Sequence, residues 1–141
     1  MGQQQLLLII LGVIVVGIAV AVGITMFKDN AVSSNRDAVT NDLVNLAARG
    51  QQFYRRPIAL GGGQGKFDGL TAMTMLTSMP GASGNAARNE NGTYSLTTGT
   101  GPGPVLLTGV GVEVGNDGSK NVTIVMQVWA DSAKVDPTKT N

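Results

Sequence analysis

Residues 61–66 read GGGQGK, the stretch of this chain that comes nearest to a chemical motif. A phosphate-binding loop of the form G-x-x-x-x-G-K-[ST] holds phosphate oxygens on backbone N–H groups, with a lysine for charge and a hydroxyl for magnesium. Aligned on Gly65 and Lys66, the pattern fails twice. Leu60 stands where the first glycine belongs, and Phe67 stands where the hydroxyl belongs. The stretch is expected to be a plain flexible connection.

Other chemistry is equally bare. The chain has no His and no Cys, which removes the commonest general base, the commonest metal ligand and any disulfide framework. Its many Ser and Thr residues have no imidazole to activate them and no lysine in an S-x-x-K pattern. Asp29, Asp37 and Asp42 alternate with Lys28 and Arg36 and read as a solvated helix face. Asp117, in GNDGSK, lacks the surrounding carboxylates of a calcium loop and reads as a turn residue. No metal site, cofactor site or catalytic residue is expected. Asn91-Gly-Thr and Asn121-Val-Thr match the N-glycosylation sequon, a short pattern that is frequent by chance. With 10 basic and 9 acidic residues and no block of like charge, no nucleic-acid site is evident. Three Phe, two Tyr and one Trp are too few and too dispersed for a stacking platform or a conducting chain.

What the sequence does specify is a set of elements. Leu6 to Phe27 is apolar apart from Gly12, Gly17, Gly23 and Thr25. As a helix these roughly 22 residues would span about 33 Å, enough for a bilayer core. The run has no polar face, which a core helix of so small a soluble protein would need. Its leader, MGQQQ, carries no basic residue and the run is longer than a signal h-region, so a cleaved secretory signal fits poorly. Lys28 and Arg36 follow the run, so the positive-inside bias alone would place the rest in the cytoplasm, unless a basic leader or a dedicated export machine sets the orientation. Gly17 with Ala21, and Ala19 with Gly23, are small-xxx-small pairs that permit close helix approach.

Beyond Phe27 the pattern becomes amphipathic. Val32, Val39, Leu46 and Phe53 recur every seven residues, Leu43 and Ala47 flank them, and Val44 and Ala48 widen the stripe. One helix is predicted from about Gly2 to Tyr54, ended before Pro57. The division is residues 1–27 apolar, 28–56 amphipathic continuation, and 57–141 a small head. In the head, GLTAMTMLTSMPG reads as a short helix or irregular cover, and ASGNAARNENG as a polar loop. Three strands are predicted as an antiparallel meander. Tyr94 and Leu96 share a face of the first; Leu106, Val110, Val112 and Val114 a face of the second; Val122, Ile124, Met126, Val128 and Ala130 a face of the third. The tail SAKVDPTKTN reads as polar and free, or as a contact to a neighbour. The fold class is α+β, with Val32, Val39, Leu43, Leu46 and Phe53 packing on Val110, Val112, Ile124, Met126 and Val128.

This layout resembles the type IV pilins and pseudopilins: an uncharged apolar helix continues as an amphipathic helix that carries a three-stranded sheet. The likeness spans the architecture of the chain, and its sequence-specific part lies within about residues 1–27. It implies a precursor held in the inner membrane, handled by pilus assembly machinery and packed with copies of itself into a helical filament. The filament core would be formed by Leu6, Leu7, Ile10, Gly12, Ile14, Gly17, Ala21, Gly23 and Phe27. Gln3, Gln4 and Gln5 would hydrogen-bond neighbours near the buried N-terminus. Gln5 stands where the family has a glutamate that neutralises a neighbour's terminal amine, and the family's proline within the apolar helix is missing. The function so implied is that of a major pilin in an extracellular cell-surface filament. The alternatives are a minor pilin or pseudopilin of a secretion system, and a single-pass membrane-anchored binding module. An enzyme is the least expected class.

Overall fold

A computed structural model of the chain describes residues 2–71, 86–98, 101–115 and 117–140. One helix, α1, runs unbroken over Gly2–Arg55, 54 residues, or about 80 Å at the helical rise. No proline interrupts it, and the glycines at 12, 17 and 23 are absorbed without a break in the helix. Pro57, which lacks the N–H needed to continue and restricts the residue before it, stops it.

The helix end is sealed by the glycine-rich stretch. After a 3-10 turn over Ile58–Leu60, the N–H of Gly63 donates to Phe53 O at 2.8 Å, that of Gly65 to Tyr54 O at 2.8 Å, and that of Gln64 to Arg56 O at 3.0 Å. Residues 61–66 are therefore a built cap on the last helical carbonyls, not the plain connection their composition suggests. Two positions in the cap demand glycine for space: a Cβ at Gly62 would overlap the Arg56 carbonyl, and one at Gly63 the Lys66 carbonyl.

The head is a five-stranded antiparallel meander in the order β1-β2-β3-β4-β5, with β1 at Ala86–Arg88, β2 at Gly92–Thr97, β3 at Val105–Val114, β4 at Asn121–Val128 and β5 at Ala133–Val135. The expected three strands are the inner ones. β1 lies in the segment read as a polar loop, paired Ala87↔Tyr94, and β5 lies in the tail read as free, paired Gln127↔Lys134. Both extra strands are three residues long and poor in β-formers, so no alternation exposes them. Most of GLTAMTMLTSMPG lies outside the described residues. Phe67 and Leu70, on either side of its start, are buried.

α1 lies across β3 and β4. Val32, Val39, Leu43, Leu46 and Ala47 bury themselves against Tyr94, Leu96, Val105, Leu107, Val122, Ile124, Met126 and Val128, with Phe53 and Tyr54 at the margin. The Tyr54 and Phe67 rings meet at 4.8 Å.

Two faces differ from the sequence reading. In β3 the inward residues are Val105, Leu107, Gly109 and Gly111; Leu106 and Val110 are half-covered on the other face, and Val112 and Val114 are exposed. The reason is the proximity of the helix. A Cβ at Gly109 would lie 2.6 Å from Val39 Cγ1, and one at Gly111 would overlap Asn35 Oδ1. The apolar alternation thus ran along the outward face because glycine occupies the inward one. A bulge between Val110 and Val114 then ends regular pairing with β4. On α1, Val44 and Ala48 do not widen the buried stripe; both are exposed, Val44 at 52 %. β4 ends at Val128, so Ala130 lies beyond it.

Candidate functional site: the uncovered apolar half of the helix

α1 is the one helix among the described residues that is long and apolar enough to cross a membrane, and none of its most apolar window is buried within the chain. Every large side chain from Leu6 to Phe27 is at least half exposed, from 52 % at Val22 to 77 % at Phe27. Nothing among the described residues therefore covers this surface. Fully burying a Val, Leu or Ile side chain is worth about 1.5–3 kcal/mol. Over this run the unrealised burial is on the order of 15–30 kcal/mol, at least as large as the whole stability of a typical domain. Lipid or protein must cover it.

Leu6, Leu7, Ile10 and Ile14 are all exposed and fall within an arc of about 100° on one side of the helix. Gly12, Gly17 and Gly23 sit among them, and a Cβ added at any of the three meets nothing within 4 Å. Each glycine costs a helix about 1 kcal/mol relative to alanine. At Gly109 and Gly111 that kind of cost has an evident cause inside the fold; at Gly12, Gly17 and Gly23 it has none. Thr25 turns its hydroxyl back onto Ala21 O at 3.0 Å, which hides its polarity within the helix.

At the N-terminus, Gln3, Gln4 and Gln5 are exposed, and no acidic residue lies in the first turn. The first turn thus sets no carboxylate beside its orphan N–H groups and the positive end of the helix dipole. Three side-chain amides supply acceptors there, but no charge.

Where the apolar half ends, the head is fastened by a polar knot that sequence reasoning did not find. Asp42, expected on the solvated face, is half-buried. Its Oδ2 accepts hydrogen bonds from Tyr94 OH at 2.6 Å, Asn89 Nδ2 at 2.8 Å and Asn91 Nδ2 at 2.8 Å. One turn pair earlier, Asn35 Nδ2 donates to Asn91 O at 2.9 Å and Asn35 Oδ1 accepts from Glu113 N at 3.4 Å. Burial tends to raise the Asp42 carboxyl, but the bonds from Asn91, Tyr94 and Asn89 outweigh it and hold the group below its ordinary 3.8. Burial, with Asp42 beside it, pushes the Tyr94 hydroxyl well above its ordinary value, so it remains a donor. The available signal was spacing: Asn35 and Asp42 stand seven apart, three residues on from Val32 and Val39, on the shoulder of the apolar stripe.

The knot also absorbs one sequon, since the Asn91 amide is committed to Asp42. The Asn121 amide donates to Gly111 O at 3.0 Å. Asp117 Oδ1 accepts from Ser119 N and Lys120 N, closing its own turn. Among the described residues no group of three acidic side chains is placed to hold a metal ion.

No protein-family model, no characterised protein and no solved structure matches this chain.

Proposed function

We propose that this chain is the structural subunit, the major pilin, of a type IV pilus-like extracellular filament, and that it works by assembly rather than by catalysis. The observation that carries the reading is the uncovered run from Leu6 to Phe27 on the same unbroken helix that holds the head. A precursor in the inner membrane has this run covered by lipid. Outside the membrane only other apolar helices of equal length supply equal cover, and copies of the chain are such helices. The three glycines without a packing role inside the chain support the reading, because close helix–helix approach offsets their helical cost. The glutamines fit polar contacts at the buried end of such a core, with Gln5 hydrogen-bonding where the pilin glutamate would carry charge. The head then forms the outer surface.

A membrane-anchored module shares the apolar run but makes no demand on its sequence. Replacing residues 6–27 with an unrelated Leu/Ala helix of equal length separates the two. The filament reading expects the substituted chain to stay in the membrane fraction, folded, with surface filaments lost in electron micrographs while the native chain forms them. Filaments from the substituted chain, or a native chain found only as a membrane-bound monomer, would refute it.

A further inference from the structure

Outside the apolar run, the large exposed hydrophobics among the described residues are few: Val44 on the back of α1, Ile58 and Leu60 at one end of the head, and Val112 and Val114 at the other. The two end patches are unlike in shape and in charge. Ile58 and Leu60, 67 % and 70 % exposed, project on the 3-10 turn just past the helix C-terminus. Arg55, Arg56 and Lys66 surround that turn in the chain, all exposed, and the nearest acid in sequence, Asp68, is engaged with Gly101 N at 2.8 Å. The other end is concave. Where α1 enters the head, a cleft of about 640 Å³ opens between the helix and the end of β3, with Phe27, Val32 and Val114 as its apolar lining. Asp29 and Glu113 line it too, against one lysine, Lys28, and Asp117 and Lys120 lie in the turn beside it. The knob is basic and the cleft is bounded by more acids than bases. The two are about 39 Å apart along the helix axis, taking Asp29 to Arg55 at the helical rise.

We propose that the occupant of the cleft is a second copy of this chain: the Ile58–Leu60 knob of one subunit seats against Phe27, Val32 and Val114 of the next, with Arg55 and Arg56 facing Asp29 and Glu113. Complementary rather than identical patches make the contact heterologous, and a heterologous contact that does not close generates an open helical polymer. This contact between the top of one head and the base of the next rests on the filament reading above and adds to it a partner surface that begins at the edge of the apolar core, at Phe27. The opposite signs fix the direction of stacking, because knob on knob would bring Arg55 and Arg56 of two copies together.

The chain has no cysteine, so a cross-link tests the contact directly in assembled filaments. Leu60→Cys and Val114→Cys place thiols on the knob and the cleft at exposed positions. Under mild oxidation, or with a short bis-maleimide, the double variant is expected to give a ladder of dimer, trimer and higher bands. Each single variant alone is expected to stay monomeric, and co-assembled single variants to stop at the dimer. Dimers from either single variant would show a like-to-like contact and overturn the proposal. Filaments that form normally but give no ladder would overturn it while leaving the filament reading intact. Absence of filaments from the unsubstituted chain would remove both.

Discussion

Gly109→Ala is the substitution that most directly tests how the head sits on its helix. The new methyl would lie 2.6 Å from Val39 Cγ1 and 3.3 Å from both Leu43 Cδ1 and Tyr94 Cε1. Carbon atoms in contact sit about 3.5–4.0 Å apart, so Val39 or the strand must retreat by roughly 1 Å. Neither has room: Val39 and Leu43 are fully buried, and Gly109 is paired with both Tyr94 and Ile124 across β3. Overpacking of this kind costs about 1–3 kcal/mol. For a head of this size each kcal/mol corresponds to roughly 4–8 °C in Tm, so a fall of about 5–20 °C is expected. The assay is thermal unfolding of the full chain in detergent, followed by near-UV circular dichroism. Val39→Ala removes the Cγ1 that clashes and alone leaves a cavity. The double variant should therefore be less destabilised than the two single changes added together, by about 1 kcal/mol or more. A neutral Gly109→Ala, or strict additivity with Val39→Ala, would show that Gly109 does not lie beneath Val39 and that β3 presents its other face inward.

Two further outcomes follow from the knot around Asp42. Tyr94→Phe removes the 2.6 Å bond to Asp42 and keeps the ring in the core. Hydrogen bonds to charged groups are worth about 1.5–3 kcal/mol. Because Asp42 keeps its two amide donors and is half-exposed, the lower end, about 1.5 kcal/mol, is expected in urea unfolding. Acid unfolding is expected as well. Asp42, Asp117 and Asp136 each sit below their ordinary 3.8 in the folded chain. Folded-state values lower than unfolded ones make their contribution fully present above that value and lost as pH falls through the folded ones. Stability should be level from neutral pH to about 5 and decline below about 4, and Asp42→Asn should flatten part of that decline; a profile unchanged by Asp42→Asn would contradict the knot.

The helix was legible because its signals agree along its whole length: an apolar run, a seven-residue stripe through Val32, Val39 and Leu46, and a proline to stop it. The sheet was legible only where strands alternate strongly. β4, with four inward apolar residues, shows its face in the sequence. β3 does not, because the residues closest to the helix are glycines and the bulkier valines point away. β1 and β5 are short edge strands whose pairing is decided by neighbours, not by composition. Asp42 was read as solvated since charge on a helix usually is; only the fold brings Asn89, Asn91 and Tyr94 onto it. GGGQGK failed as a nucleotide motif on Leu60 and Phe67, but its role as a cap depends on Phe53, Tyr54 and Arg56 ending their helix beside it. The apolar half is plain in the sequence, whereas the knob and cleft at the two ends of the head exist only once the chain is folded.

The unbroken course of α1 through Phe27, Lys28 and Asp29 into the head also works as a gear. With no break between the apolar and the amphipathic halves, the direction in which the apolar half faces dictates the compass bearing of the sheet. One residue inserted between Phe27 and Val32 would swing the head by about 100° and lift it by about 1.5 Å, while seven would return it to within about 20° of its starting bearing, one heptad higher. The number of residues linking the two halves is thus a setting of phase, and the chain holds that setting in covalent form.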